Sequence, residues 1–373
     1  MQLTRKEWEV KIVILKKVEA VRTQAMSFSA DTYNTDWFGN ILMSGLLDLN
    51  NLIPGNEIKL FVEKWLFHHL TTDSTLSDEE FYRQADAPKS RILKDYSLPL
   101  TTYAGYFGMS HTCSRLYQIS GNKCARQVCI DIGDIILHRC ARNNLGLVAH
   151  DDSEKPFTIP DVAYFVVPAL FIASTMAKDA ASTLRRQAVF QIDGFINTFF
   201  DKQNKLTRTI YRAGKLGETF WVRASGWLLW TVVESLPYID SYDPVFDQLC
   251  SLLECMANGF LEFQDISGGF HLFVNEPDSP LETTGTIMIA RGIHKAVRMG
   301  WIDKSYIELA NRAWSYTDTK LDSNGKLTGC YSGWAVSAEN RVLDFDRPME
   351  WMPGMLLMAG AEFTHQMKKE EDA

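Results

Sequence analysis

FWVRASGWLLWTVVESLP, residues 220–237, sets Trp221, Arg223, Gly226 and Trp227 ahead of an apolar run whose only charge is Glu234. Aromatic rings stack on the apolar face of a pyranose, and a guanidinium forks onto a carboxylate. This helix start therefore carries what a site for an acidic sugar needs. The same residues also read as a buried aromatic helix with one arginine satisfied by a neighbour. The segment alone leaves both readings open.

Apolar helical runs of the same kind recur at 41–53, 113–119, 162–176, 228–236, 286–299 and 352–363. More polar helical segments alternate with them at 57–70, 123–143, 181–200, 244–261 and 302–320, and residues 1–25 read as an amphipathic helix. Turn-forming clusters separate them: SGNK at 120–123, DKQNK at 201–205 and DSNGK at 322–326. Strand signals are scarce. The apolar helices open near Asp36, Tyr103, Asp161, Trp221, Glu282 and Trp351, in steps of 67, 58, 60, 61 and 69 residues. A period of about 60 residues is two helices and two loops, and each such unit must bury its apolar face on its neighbours. Six helical hairpins fill residues 1–373 and leave nothing for a second domain. An open solenoid needs polar caps, yet the last helix, MEWMPGMLLMAGAEF, is among the most apolar. The expectation is all-α: a closed (α/α)6 barrel with the apolar helices as the inner ring.

Composition narrows the function. The formal charge is -8 with no basic block, which argues against nucleic acid, since phosphate binding needs clustered Lys and Arg. No run approaches the ~18 apolar residues of a membrane span. Seven cysteines in a chain whose opening residues do not read as a secretory signal imply reduced thiols and a cytoplasmic setting. Their spacing and that of the histidines does not fit a zinc site, and no metal or organic cofactor is implied. With 12% aromatic residues, rings remain for a binding surface after a core is built.

In such a ring all inner helices run one way, so their N-termini share a face, and free N–H groups there favour anions. Trp37, Tyr103, His150, Asp161, Trp221, Arg223, Trp227, His271, Glu282, Glu350 and Trp351 are drawn to that rim. Asp161 opens DVAYFVVPALFIAS, where N-capping is its ordinary role. An aromatic-lined cavity can instead raise a carboxyl's pKa and make it a general acid. Glu282 in LETTGT reads as a cap or a buried pair. His271 in GGFH either touches sugar hydroxyls or closes a turn. His150, Asp151 and Asp152 form a polar loop.

D-x-x-Y-F-x-x-P at 161–168, W-x-R-x-x-G-W at 221–227 and L-E-T-T-x-T-I-M at 281–288, with D-W-x-x-x-x-L-M-x-G-L at 36–46, G-G-F-H at 268–271 and M-x-x-M-L-L-M-A-G-A-E at 352–362, resemble the unsaturated glucuronyl and rhamnogalacturonyl hydrolases of glycoside hydrolase families 88 and 105. The resemblance spans nearly the whole chain. It implies a six-hairpin barrel that removes a terminal 4,5-unsaturated uronic acid from an oligosaccharide by hydrating its vinyl-ether double bond. The family's catalytic aspartate falls on Asp161. Its uronate-binding positions fall on Trp221, Arg223 and Trp227, and a histidine ahead of the aspartate falls on His150. Trp37, Asp151, His271 and Trp351 complete the expected substrate surface. The chain departs from the family at Gly105, where a second aspartate is expected, and at Asp151, Thr209 and Ser225. Those departures leave two alternatives beside hydration: a saturated β-glucuronidase with paired carboxyls, or a non-hydrolytic protein that binds, isomerises or cyclises a small molecule.

Overall fold

The computed structural model describes residues 5–52, 55–70, 103–151, 154, 156–333, 344–347 and 349–371; Asp152 lies outside them. Twelve α-helices run through the described residues. They are α1 (Arg5–Met26), α2 (Trp37–Asn50), α3 (Glu57–His69), α4 (Met109–Ser120), α5 (Lys123–His138), α6 (Pro160–Met176), α7 (Ala181–Phe199), α8 (Val222–Ser235), α9 (Pro244–Phe263), α10 (Thr283–Arg298), α11 (Ile307–Thr319) and α12 (Trp351–Glu371). The even-numbered helices form the inner ring: α2 packs on α4, and so on through α6, α8 and α10 to α12, which returns to α2. Each odd-numbered helix covers the inner helix before it, and α1 covers α12. This is the (α/α)6 barrel.

Burial follows the pattern that separates the two rings. Every residue of α8 is buried. On α7 only Leu184, Ala188, Gln191, Ile192, Phe195, Ile196 and Phe199 are buried, a single stripe at helical spacing. The turns form where small and polar residues interrupt these runs. Gly121 ends α4 in the left-handed region at φ 68°. Asp322 accepts from the Asn324 and Lys326 N–H groups across the DSNGK turn.

Two features differ from the sequence reading. The second inner helix opens with a 3-10 segment, Ala104–Gly108, and becomes α-helical only at Met109. Gly105 and Gly108 both disfavour an α-helix there. The connections also carry two-residue strands, too short to leave a pattern in the sequence. Phe157–Thr158 pairs antiparallel with Tyr211–Arg212, and Phe270–His271 pairs with Leu281–Glu282. They tie neighbouring loops together at the rim.

Closure depends on two glycines where α2 meets α12. A Cβ on Gly354 would lie 2.5 Å from the Leu42 N and 2.6 Å from the Ile41 O, and one on Gly45 would lie 2.5 Å from the Gly354 O. These neighbours are main chain and cannot swing aside. Gly354→Ala is expected to cost at least the ~1–3 kcal/mol of an overpacked core, read as a lower urea midpoint. An unchanged midpoint would show that the seam has slack.

Candidate active site

The N-terminal ends of the inner helices enclose a cavity of about 280 Å³. Of the residues expected there, Trp37, His150, Asp161, Trp221, Arg223 and Trp351 line it. Trp227 lies behind that lining, 1% exposed. Its ring packs on Trp37 at 5.9 Å and on Phe165 at 5.5 Å. Asp151 is not among the described lining residues; its Oδ2 lies 3.0 Å from the His150 Nδ1. His271 is not among the lining residues; its Nδ1 meets the Ser279 carbonyl and its Nε2 lies 3.8 Å from Asp265. The short hairpin that holds its ring turns it to its own loop.

Asp161 sits in the first turn of α6, but it is not the cap. The chain enters through extended Ile159, which offers no side-chain bond, and Pro160 takes the first helical position. The carboxyl is therefore available to the cavity. Its Oδ1 is buried without a hydrogen-bond partner. The Trp227 indole N–H faces the carboxyl and favours its charged form, yet Nε1 completes no hydrogen bond of ordinary geometry. Burial is the dominant influence and lifts the Asp161 pKa to about 7, against the opposing pull of Arg223 and of the neighbouring N–H groups.

Arg223 is 4% exposed and lies between two rings, 4.2 Å from that of Trp221 and 4.9 Å from that of Trp351. Its Nη1 donates to the Tyr331 carbonyl and its Nη2 to the Gly333 carbonyl at 2.6 Å. The nearest ion-pair partner, Glu282, is 3.9 Å away. Glu282 accepts from the N–H groups of Thr284, Gly285 and Tyr331, so it caps α10 and pins the loop that holds the arginine. Main-chain carbonyls orient the guanidinium without neutralising it.

The departures at 105, 151, 209 and 225 now have places. Ser225 accepts from the Thr207 N–H, and Thr209 bonds Thr219; neither lines the cavity. Gly105 does line it. A Cβ at 105 would lie 2.6 Å from the Tyr103 ring, which occupies the space a side chain at 105 needs. Tyr103 is a lining residue beyond the expected substrate surface, 5.0 Å from His150 ring to ring. Its phenol pKa is raised beyond the usual range by burial and then by Asp36 and Asp161, so it stays a neutral hydroxyl near the acid. Ser332 and Gly333 also line the cavity; no motif marks them, because the main chain presents them.

A sequence model of Glycosyl Hydrolase Family 88 matches residues 14–367. The chain belongs to this family. The family 88 chain is 22% identical over 380 residues to the unsaturated rhamnogalacturonyl hydrolase YesR of Bacillus subtilis strain 168, covering 99% of this chain and 98% of that one. Its fold is similar to a family 105 glycoside hydrolase from C. acetobutylicum ATCC 824, at a TM-score of 0.75 and 15% identity over 94% of this chain and 99% of the other. It is also similar to the unsaturated glucuronyl hydrolase of Streptococcus agalactiae, at a TM-score of 0.66 and 16% identity, covering 97% and 93%. The family 88 chain is thus a glycoside hydrolase. Among its described residues no helix is long and apolar enough to cross a membrane.

Proposed function

We propose that this enzyme removes a terminal 4,5-unsaturated uronic acid from an oligosaccharide, with Asp161 as general acid and then general base. The observation that carries the reading is the one carboxyl among the described lining residues, Asp161, with its pKa raised to about 7 beside the cationic Arg223. At neutral pH such a carboxyl is present in both forms, so it can give a proton and take one back. Asp161 donates its proton to C4 of the vinyl ether. Positive charge develops at C5 and the ring oxygen, water adds at C5, and the Asp161 carboxylate accepts the water's proton. The hemiketal then opens and releases the rest of the chain. YesR and the Streptococcus agalactiae enzyme are named for unsaturated uronyl substrates, which agrees.

Direct displacement at a glycosidic carbon calls for two carboxyls flanking the bond. Among the described lining residues Asp161 is the only carboxylate. Asp151 is paired with His150, and Glu282 is saturated by N–H donors. This favours hydration over attack on a saturated glucuronide. The decisive assay follows the ultraviolet absorbance of the conjugated acid in lyase-generated disaccharides. Loss of that absorbance on adding enzyme supports the reading; cleavage of a saturated glucuronide with lyase products left intact refutes it.

In the same reading the substrate carboxylate meets the field of Arg223, with Trp221 and Trp351 as ring partners. Lysine cannot bond two loop carbonyls in a plane or stack between two indoles. Arg223→Lys is expected to lower kcat/KM by about 10–100-fold, the loss of one charged hydrogen bond, mostly through KM. Wild-type KM in this variant would remove Arg223 from substrate recognition.

A further inference from the structure

The opposite mouth of the barrel holds a second cavity, of about 340 Å³. Residues near the C-terminal ends of α2, α4, α8 and α10 line it together with α12, and no described residue lines both it and the catalytic cavity. Aromatic rings separate the two. The Trp230 ring lies 4.6 Å from the Arg291 guanidinium and packs at 5.8 Å on Trp227, the ring behind the catalytic lining. Four cations line the second cavity, Arg115, Arg291, Lys295 and Arg298, against three carboxylates, Asp48, Glu234 and Glu362. With His365 neutral, the described lining carries one positive charge in excess.

The hydrogen bonds leave that excess on two side chains of α10. Arg115 donates to Asp48 and to Glu234, and Arg298 donates to Glu362. The Glu234 Oε1 alone serves both the Arg291 Nη2 at 2.6 Å and the Lys295 Nζ at 2.8 Å. Arg291 is 2% exposed, and its Nε and Nη1 are buried without a hydrogen-bond partner. The Lys295 ammonium has three N–H groups to donate and, among the described residues, that one acceptor. Burial lowers the Lys295 pKa more than Glu234 raises it, and Arg291 and Arg115 push the same way as burial. Buried donors without acceptors are costly unless a ligand completes them. An oxyanion accepts several charge-assisted bonds at once, and guanidinium donors suit it. The carbonyl ends of the inner helices face the same mouth and repel an anion, so directed donors, not a diffuse field, must hold it.

We infer that this second cavity binds a small oxyanion, a phosphate or a compact carboxylate, between Arg291 and Lys295. The site is separate from the catalytic cavity and does not depend on the reaction proposed above. A bound anion neutralises the excess charge of α10, so it stabilises the folded chain.

The probes are inorganic phosphate and, separately, citrate, each compared with sodium chloride at the same ionic strength, because salt alone screens these charges. At least one probe is expected to raise the wild-type Tm by about 2 °C or more once it stands well above its Kd. Lys295→Met should lose most of that rise. It removes a charge that burial already disfavours, so the variant is expected to fold. Glu234→Gln adds to the positive excess and should enlarge the rise. The same Tm in phosphate, citrate and chloride overturns the site. So does a rise that Lys295→Met keeps in full, and so does one that vanishes in Arg223→Lys, which places the anion in the catalytic cavity. A rise in Glu234→Gln no larger than in wild type overturns the charge excess as its cause.

Discussion

Asp161→Asn lowers turnover of an unsaturated uronyl disaccharide by about 10²–10⁴-fold, the usual share of a general acid or base, and at the same time stabilises the protein at pH 8. The two effects share one cause. Burial raises the Asp161 pKa from 3.8 to about 7, more than Arg223 and the nearby N–H groups lower it. A carboxyl whose folded pKa is raised contributes stability below its unfolded pKa and loses it as pH climbs through the folded value. Above about pH 7 the wild type therefore holds an unwelcome charge that asparagine lacks. Three units at ~1.36 kcal/mol each set an upper bound of about 4 kcal/mol. The side chain is partly accessible from the cavity, so solvent screening brings the expected gain to about 1–3 kcal/mol. Urea unfolding at pH 4 and pH 8 checks it: the variant should gain only at the higher pH. Near wild-type turnover removes Asp161 as the proton donor, and a variant less stable at pH 8 removes the account of its pKa. Wild-type activity should also decline above about pH 7 as the acid form is lost.

Glu234→Ala is expected to have the largest effect on stability, about 3–5 kcal/mol, the usual cost of leaving buried charges without their partner. Glu234 sits near the C-terminal end of α8, at the opposite end of the barrel from the cavity. Its Oε1 accepts from Arg291 at 2.6 Å and Lys295 at 2.8 Å, and its Oε2 from Arg115 at 3.1 Å. Burial would raise its pKa, but Lys295, Arg115 and Arg291 outweigh it and hold the carboxyl well below the usual range. A depressed carboxylate contributes above its unfolded pKa and is lost only in strong acid, so the deficit should persist from pH 5 to pH 8. Removing both charges, as in Glu234→Leu with Arg291→Met, should recover part of the loss, because Arg291 is only 2% exposed and unsuited to standing alone. Equal stability of Glu234→Ala and wild type would show that these cations are satisfied elsewhere. The single variant should keep its kcat while folded, since none of these residues lines the cavity.

The barrel was legible because its information is local. The buried stripe of α7 is written in residues three and four apart, and the six recurring apolar runs already imply a ring. Trp221, Arg223 and Asp161 could be placed on one rim from that period alone. His271 could not be kept from the site by sequence, because the bond that turns it away belongs to Ser279, across a hairpin only two residues deep on each side. Tyr103 was legible as a rim aromatic, but not as the occupant of the space above Gly105.

The amino-acid order by itself determined the helices, their inner and outer roles, and which helix starts share the rim. Periodicity, caps and turns act between neighbours in the chain, so no folded context is needed to read them. Only the tertiary structure decided which rim residues meet, that Asp161 has a raised pKa, and that Arg223 is held by carbonyls more than 100 residues away. Proton affinity and charge orientation depend on burial and on groups brought near by the fold. Those quantities exist only once the ring has closed.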